Sequence, residues 1–186
     1  LAAGWVEADE LLGTVPQRNL SISAEKLAIN AVMAGCAPEY FPVVIAAMQA
    51  ALDPGFNINA AITSTGGAAL CLVVSGPIAQ EIGMASKHNA LGSGNRANAT
   101  IGRSIRLTVT NVLGAKTGGM DGSSLGHPGK YTMCFAEDTP PSQWPTLREE
   151  LGYPLGDTTV TVLAAEGPRQ VANAQNPDGT GVLRTL

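Results

Sequence analysis

The feature that most constrains the fold is a short apolar run at residues 69–74, Ala-Leu-Cys-Leu-Val-Val, bounded by a Gly-Gly pair and a Gly-Pro pair. Its length, β-branched residues and glycine and proline boundaries favour a buried strand. The clearest helix covers residues 97–113, because aliphatic side chains recur on one helical stripe at Ile101, Ile105, Val109 and Val112. A buried strand and a long amphipathic helix predict one mixed α/β domain over residues 1–186, with a central sheet.

Capping residues and local patterns place the other elements. Ser23 is a candidate N-cap for a helix that ends near Ala34, and a second helix is predicted from about residue 40 to Leu52. These two helices form an N-terminal αα-hairpin. Further strands are predicted at 58–63, 130–136 and 158–164, with short helices at 5–12, 78–82 and 146–151. Long glycine-rich loops at 83–95 and 117–129 complete the domain, and Pro140 and Pro141 are expected to break the chain.

Composition excludes several classes of protein. The net charge is -4 and no stripe of Lys or Arg is present, which argues against a nucleic-acid partner. No apolar stretch is long enough for a membrane span. Only 14% of residues are charged, and so small side chains must cover much of the surface, which predicts a homo- or hetero-oligomer. The alternative is a compact monomer with small side chains outside.

Cysteine usage indicates a reducing, cytoplasmic location. The three cysteines, Cys36, Cys71 and Cys134, are an odd number in a chain too long to need disulfides. Their spacing does not match a zinc or thioredoxin-type motif, and so neither a metal site nor a cofactor is predicted. The chain begins at Leu1 without a methionine, which is typical of a processed piece or of part of a longer protein lacking an N-terminal segment.

A candidate substrate-binding site lies where the loop of residues 83–95 enters the long helix. Backbone N–H groups at a helix N-terminus are unpaired and favour an anion. Arg96, Asn98 and Arg103 follow this loop, and the two arginines lie near the same side of the helix two turns apart. They are predicted to bind and orient a small anion. The alternative is a capped helix whose arginines bond structural carbonyl or carboxylate groups.

Candidate catalytic residues follow the second glycine-rich loop. His127 is predicted to act as a general acid or base, and Lys130 as an electrostatic clamp. Glu137 and Glu166 each follow a predicted strand, where side chains commonly face a ligand, and either could orient these two residues. Glu137 is placed with the catalytic residues and Glu166 with the substrate-binding ones. The alternatives are a loop histidine, a solvated lysine and ordinary turn carboxylates.

The thiols are weaker candidates. Cys36 follows a predicted helix, and a helix C-terminus raises a thiol pKa, which argues against an activated thiolate there. Cys71 and Cys134 fall inside predicted strands and are expected in the core. Cys36 is therefore retained only as the less favoured nucleophile.

Four segments together resemble one bacterial family. They are residues 30–40 (Asn-Ala-Val-Met-Ala-Gly-Cys-Ala-Pro-Glu-Tyr), 96–103 (Arg-Ala-Asn-Ala-Thr-Ile-Gly-Arg), 127–130 (His-Pro-Gly-Lys) and 134–137 (Cys-Phe-Ala-Glu). The family is found as the partner, or the fused second domain, of UGSC-motif cysteine or selenocysteine proteins. The Gly-Ser-Cys motif itself is absent here. The resemblance therefore implies a nucleophile supplied by another chain or domain.

The sequence thus predicts a catalytic subunit or domain that acts on a small polar or anionic molecule, with a thiol or selenol nucleophile from a partner chain. Two alternatives stay open. One is a cofactor-free hydrolase or lyase that uses His127 and a carboxylate. The other is a non-catalytic structural subunit of a hetero-oligomer, whose glycine-rich loops pack on a partner.

Overall fold

The computed structural model describes residues 4–138, 144–176 and 178–186. Two strands, β1 (Leu11–Val15) and β2 (Leu20–Ser23), form an antiparallel hairpin. Three more strands form a separate sheet: β3 (Ala69–Ser75), β4 (Cys134–Ala136) and β5 (Thr159–Ala165). The longer helices are α1 (Ala24–Ala34), α2 (Phe41–Leu52) and α5 (Arg96–Asn111). The shorter ones are α3 (Ile58–Ile62), α4 (Pro77–Glu81), α6 (Leu147–Glu150) and α7 (Gly179–Leu183).

The predicted α/β class is confirmed, and β3 is the central strand of the larger sheet. The strand order is β4-β3-β5, with β3 parallel to β4 and antiparallel to β5. The parallel pair is joined by a crossover that contains α5, which is the usual way to connect parallel strands. Pairing with β5 runs without interruption from Ala69 opposite Ala165 to Ser75 opposite Thr159.

The main core lies between the sheet and the helices. Leu72 and Val74 of β3 are almost fully buried in the same cluster as side chains of α2 and α5. The predicted N-terminal helix pair is also confirmed, since α1 and α2 contact each other and both contact α5. A side-chain hydrogen bond of 2.8 Å from Asn111 to Asn30 ties α5 to α1, and it satisfies a polar group that is 3% exposed.

Three local predictions are wrong. Residues 5–12 do not form a helix, since the chain enters β1 at Leu11. The predicted strand at 58–63 is instead α3, because Asn57 adopts a left-handed conformation (φ 53) and its side chain caps the helix by accepting from the Ala60 N–H. The predicted strand at 130–136 is shortened to β4, because Pro128–Lys130 forms a 3-10 turn. Pro140 and Pro141 lie outside the described residues.

Gly102 sets the distance between α5 and the segment that leads into β4. A Cβ at this position would lie 3.0 Å from the Met133 nitrogen and 3.1 Å from the Cys134 Cβ, with the Thr132 hydroxyl closer still. Real Cβ atoms essentially never come within 3.0 Å of another heavy atom, and the Thr132 hydroxyl would lie inside that limit. The helix can therefore pack here only because the residue is glycine.

We expect Gly102→Ala to lower the free energy of unfolding by about 1–3 kcal/mol, because overpacking outweighs the better helix propensity of alanine. Urea unfolding followed by circular dichroism measures the change. Gly156→Ala is the matched control, since a Cβ there meets open space. A Gly102→Ala protein as stable as the wild type would show that the helix can shift away from β4.

Candidate functional site

The candidate site is an open cleft of about 770 Å³ at the end of the larger sheet where β3 and β4 begin. One wall is the second half of α5, where Arg103, Arg106, Leu107 and Thr110 recur at the spacing of one helix face. The other wall is the second glycine-rich loop and the Pro128–Lys130 turn. Its polar lining includes Arg103, Arg106, Asp121, Ser123, His127 and Lys130.

Asp121 is the centre of the cleft's hydrogen bonding. Its carboxylate, 4% exposed, accepts from Arg106 at 2.7 Å and from Lys130 at 2.8 Å. The Ser123 hydroxyl lies 2.8 Å from the same carboxylate and also contacts the Lys130 ammonium. Burial alone would raise the pKa of Asp121, but the hydrogen bonds from Lys130, Ser123 and Arg106 outweigh it and hold that pKa well below its usual range. The network therefore joins α5, the loop and the turn before β4.

The cleft has a surplus of positive charge. Three basic side chains, Arg103, Arg106 and Lys130, line it, whereas Asp121 is its one lining carboxylate. Arg106 and Lys130 are both paired with Asp121, and within the described ranges Arg103 forms no ion pair. In a chain of net charge -4, this cleft is the kind of surface that attracts an anion.

His127 lies in the same cleft with one nitrogen engaged. Its Nδ1 accepts a hydrogen bond of 3.2 Å from the Gly129 N–H, and so the neutral ring carries its proton on Nε2. Nε2 is buried, and it has no hydrogen-bond partner among the described residues. The ring packs against Gly167, where a Cβ would lie 3.3 Å from the ring, and so a side chain there would crowd it.

Strand direction brings Glu166 to His127 and separates Glu137 from it. A Cβ at Gly67 would lie 3.9 Å from both the Glu166 Oε1 and the His127 Cδ2. Glu166 follows β5, which runs antiparallel to β3 and therefore ends where β3 begins. Glu137 follows β4 at the opposite end of the sheet, where its Oε1 accepts from the Leu147 N–H at 2.6 Å. Glu137 lines a different cavity, of about 380 Å³.

Arg96 and Asn98 lie in the first turn of α5, outside the cleft. The Arg96 Nε donates to the Gly35 carbonyl at 3.0 Å, which is the structural arginine of the alternative interpretation. The Asn98 side chain is buried and bonds the loop through the Ala85 N–H and the carbonyls of Ala85 and Ala90, at 2.8–3.1 Å. Of the three predicted anion-binding residues, Arg103 is therefore the one that the fold places beside His127 and Lys130.

All three cysteines are free thiols. Burial raises the pKa of Cys36, and the hydrogen bonds from Thr100 and Ser104 and the charge of Arg96 do not offset it. Burial also raises the pKa of Cys71 and of Cys134. Cys36 does not line the cleft. The cleft therefore contains no thiol of its own among the described residues.

Sequence reasoning missed Arg106, Asp121 and Ser123. Arg106 carries a signal, because it follows Arg103 by three positions and so shares its helix face. Asp121 and Ser123 lie within the glycine-rich loop, and no spacing rule connects them to α5. Their partners are visible only once the loop has folded back onto the helix.

Comparisons of the chain with family models, with curated proteins and with solved structures found no match. The resemblance to partners of UGSC-motif proteins and the function drawn from it stay predictions. Within residues 4–138, 144–176 and 178–186, no helix combines the length and apolarity needed to cross a bilayer, and no three His, Cys, Asp or Glu side chains are grouped to hold a metal ion.

We expect Asp121→Asn to lower the free energy of unfolding by about 3 kcal/mol at neutral pH, because it leaves Arg106 and Lys130 together without a carboxylate. Asp138→Asn is the control, since Asp138 is exposed and lies 3.9 Å from Lys87. Chemical unfolding of the three proteins measures the difference.

The wild type and Asp121→Asn together also test the lowered pKa of Asp121. Since its folded pKa lies below the unfolded value of about 4, the stabilisation is complete above that pH and is lost as the pH falls below it. The stability gap between the wild type and Asp121→Asn should therefore narrow on acidification below about pH 4. A gap that stays constant down to pH 2 would contradict the lowered pKa.

Proposed function

We propose that this domain is the catalytic subunit of an enzyme that acts on a small anionic molecule bound in the cleft. The observation that carries the proposal is the arrangement of charge around Arg103. Arg106 and Lys130 are held by Asp121, whereas Arg103 lines the cleft without an ion pair among the described residues. A guanidinium in that position is suited to bind a carboxylate or phosphate through two parallel hydrogen bonds.

In this proposal His127 donates a hydrogen bond to the ligand oxygen on which negative charge develops. The hydrogen bond from Gly129 fixes Nδ1 as an acceptor, and so Nε2–H is the group that donates to a ligand oxygen. Nε2 is buried, and so a ligand reaches it only when a neighbouring group moves aside; it then breaks no internal hydrogen bond, because that nitrogen has none among the described residues.

The proposed nucleophile is a thiol or selenol of a partner chain. Two considerations support an external source. The cleft has no thiol among the described residues, and the pKa of Cys36 is raised by burial, which disfavours its thiolate. The resemblance to partners of UGSC-motif proteins names the kind of chain that would supply it.

A second candidate is a cofactor-free hydrolase or lyase that needs no partner. The position of Glu166 favours it, because this carboxylate and His127 both approach Gly67, and so Glu166 would accept a proton while the Nε2–H of His127 donates to a ligand oxygen. The two candidates share the anion site and differ in the source of the nucleophile. Turnover in the absence of any partner chain distinguishes them, because only the hydrolase or lyase would show it.

We expect Arg103→Gln to weaken anion binding roughly 10- to 100-fold, which is the loss expected for hydrogen bonds to a charged group. Titration calorimetry with inorganic phosphate, acetate and benzoate as probes measures it. Arg96→Gln is the matched control on the same helix, since Arg96 bonds a carbonyl outside the cleft. If the two substitutions weaken anion binding equally, the cleft is not the anion site.

We expect His127→Gln to keep anion binding within about twofold and to lose at least about 100-fold in turnover, because a donor aimed at the developing negative charge is displaced and the charge of the cleft is kept. Turnover is measured for the chain alone and together with the proteins encoded beside it. Turnover by the chain alone would favour the hydrolase or lyase, and turnover only with a partner would favour the thiol or selenol reaction. Full activity of His127→Gln would contradict both.

A further inference from the structure

The strand β5 has one unpartnered edge. It is the last strand in the order β4-β3-β5, and its inner edge pairs with β3 along all of its seven residues. Apart from that ladder, no backbone group of Thr159–Ala165 forms a hydrogen bond within the described part of the chain. Alternate N–H and C=O groups of an antiparallel strand point to opposite edges, and so the outer ones face away from the sheet.

This edge lacks the features that keep edge strands from pairing. The sequence Thr-Val-Thr-Val-Leu-Ala-Ala contains no charged residue and no proline, and its register with β3 has no bulge. The opposite edge differs. There β4 is only three residues long, and the Ala136 N–H is bonded to the Ala85 carbonyl at 3.1 Å. Long, uncharged and unbulged edges are the ones that pair with another strand.

We infer that a second copy of this chain pairs its β5 with this edge, antiparallel, so that two three-stranded sheets become one of six strands. A two-fold axis at Val162 makes the strand complementary to itself. Val160 then lies opposite Ala164, Thr159 opposite Ala165 and Thr161 opposite Leu163. Larger side chains thus face smaller ones, the two central valines form a β-branched pair, and no like charges meet.

The size of the exposed surface agrees with a covered face. The chain exposes 10553 Å² for a mass of 19.0 kDa. A compact monomer of that mass exposes roughly 8,400 Å². The excess is larger than the ~800 Å² that each partner buries in a standard interface, and the largely exposed residues 166–176 contribute to it together with β5. Leu163, which is 46% exposed on the strand itself, is among the side chains that the second copy would cover.

A second copy is favoured over a peptide from another protein because the same seven residues satisfy both sides of the contact. A different partner would need its own matching strand, and nothing in this edge selects for one, since it offers no charge to recognise. The β5 edge shares no residue with the lining of the anion cleft, and so the pairing of β5 and the binding of an anion can be tested separately.

The test is the oligomeric state of the full chain, measured by analytical ultracentrifugation over a range of concentrations. We expect a dimer whose Kd rises about tenfold or more in Leu163→Lys, because a charge on an edge strand opposes pairing. Val32→Lys is the matched control, since Val32 is 76% exposed on α1 and its substitution should leave the dimer unchanged. If Leu163→Lys does not fold, as judged by circular dichroism, Thr161→Lys takes its place.

Hydrogen exchange gives a second readout that needs no substitution. In the dimer the outward N–H groups of β5 should exchange slowly, and dilution to monomer should speed the exchange of alternate residues only. A wild-type chain that is monomeric at all concentrations would overturn the inference. So would a dimer broken by Val32→Lys but not by Leu163→Lys, which would place the contact on α1.

Discussion

The burial of β3 is the constraint on which the rest of the structure depends. Its side chains are covered on both faces, and it is the one strand of its sheet with a neighbour on each side. An uncharged run of this kind cannot be exposed, and so helices must pack against it and strands must hydrogen-bond to both of its edges. The α5 crossover to β4 and the antiparallel return of β5 meet these needs.

The direction of each neighbouring strand then decides which functional groups meet. Strands β3 and β4 begin at one end of the sheet, and β5 ends there. His127 and Lys130 before β4, Gly67 before β3 and Glu166 after β5 are therefore near one another. Ligands of open parallel sheets commonly lie beyond the carboxyl ends of the strands. In this chain Glu137 lies at the carboxyl ends of β3 and β4, and the cationic cleft lies at the opposite end of the sheet.

Sequence patterns identified the elements whose side chains repeat on one face or form an uninterrupted apolar run. The strand β3, the helix α5 and the N-terminal helix pair are of this kind. One element set by a single capping residue was not found, since Asn57 converts an apolar stretch with strand-like composition into α3. The same limit explains why only some residues of the candidate site were predicted. His127, Lys130 and Arg103 carry local signals, whereas Asp121 becomes recognisable only when the loop contacts α5.

Asp121 also gives the proposed anion site its rigidity. Without its carboxylate, Arg106 and Lys130 would repel each other and their long side chains would be mobile. Pairing with Asp121 fixes both, but it cancels only one of their two charges, and so a rigid positive field remains beside Arg103. A ligand anion that binds there has to order Arg103 alone. The entropy cost of binding is lower when the other cations are already held in place.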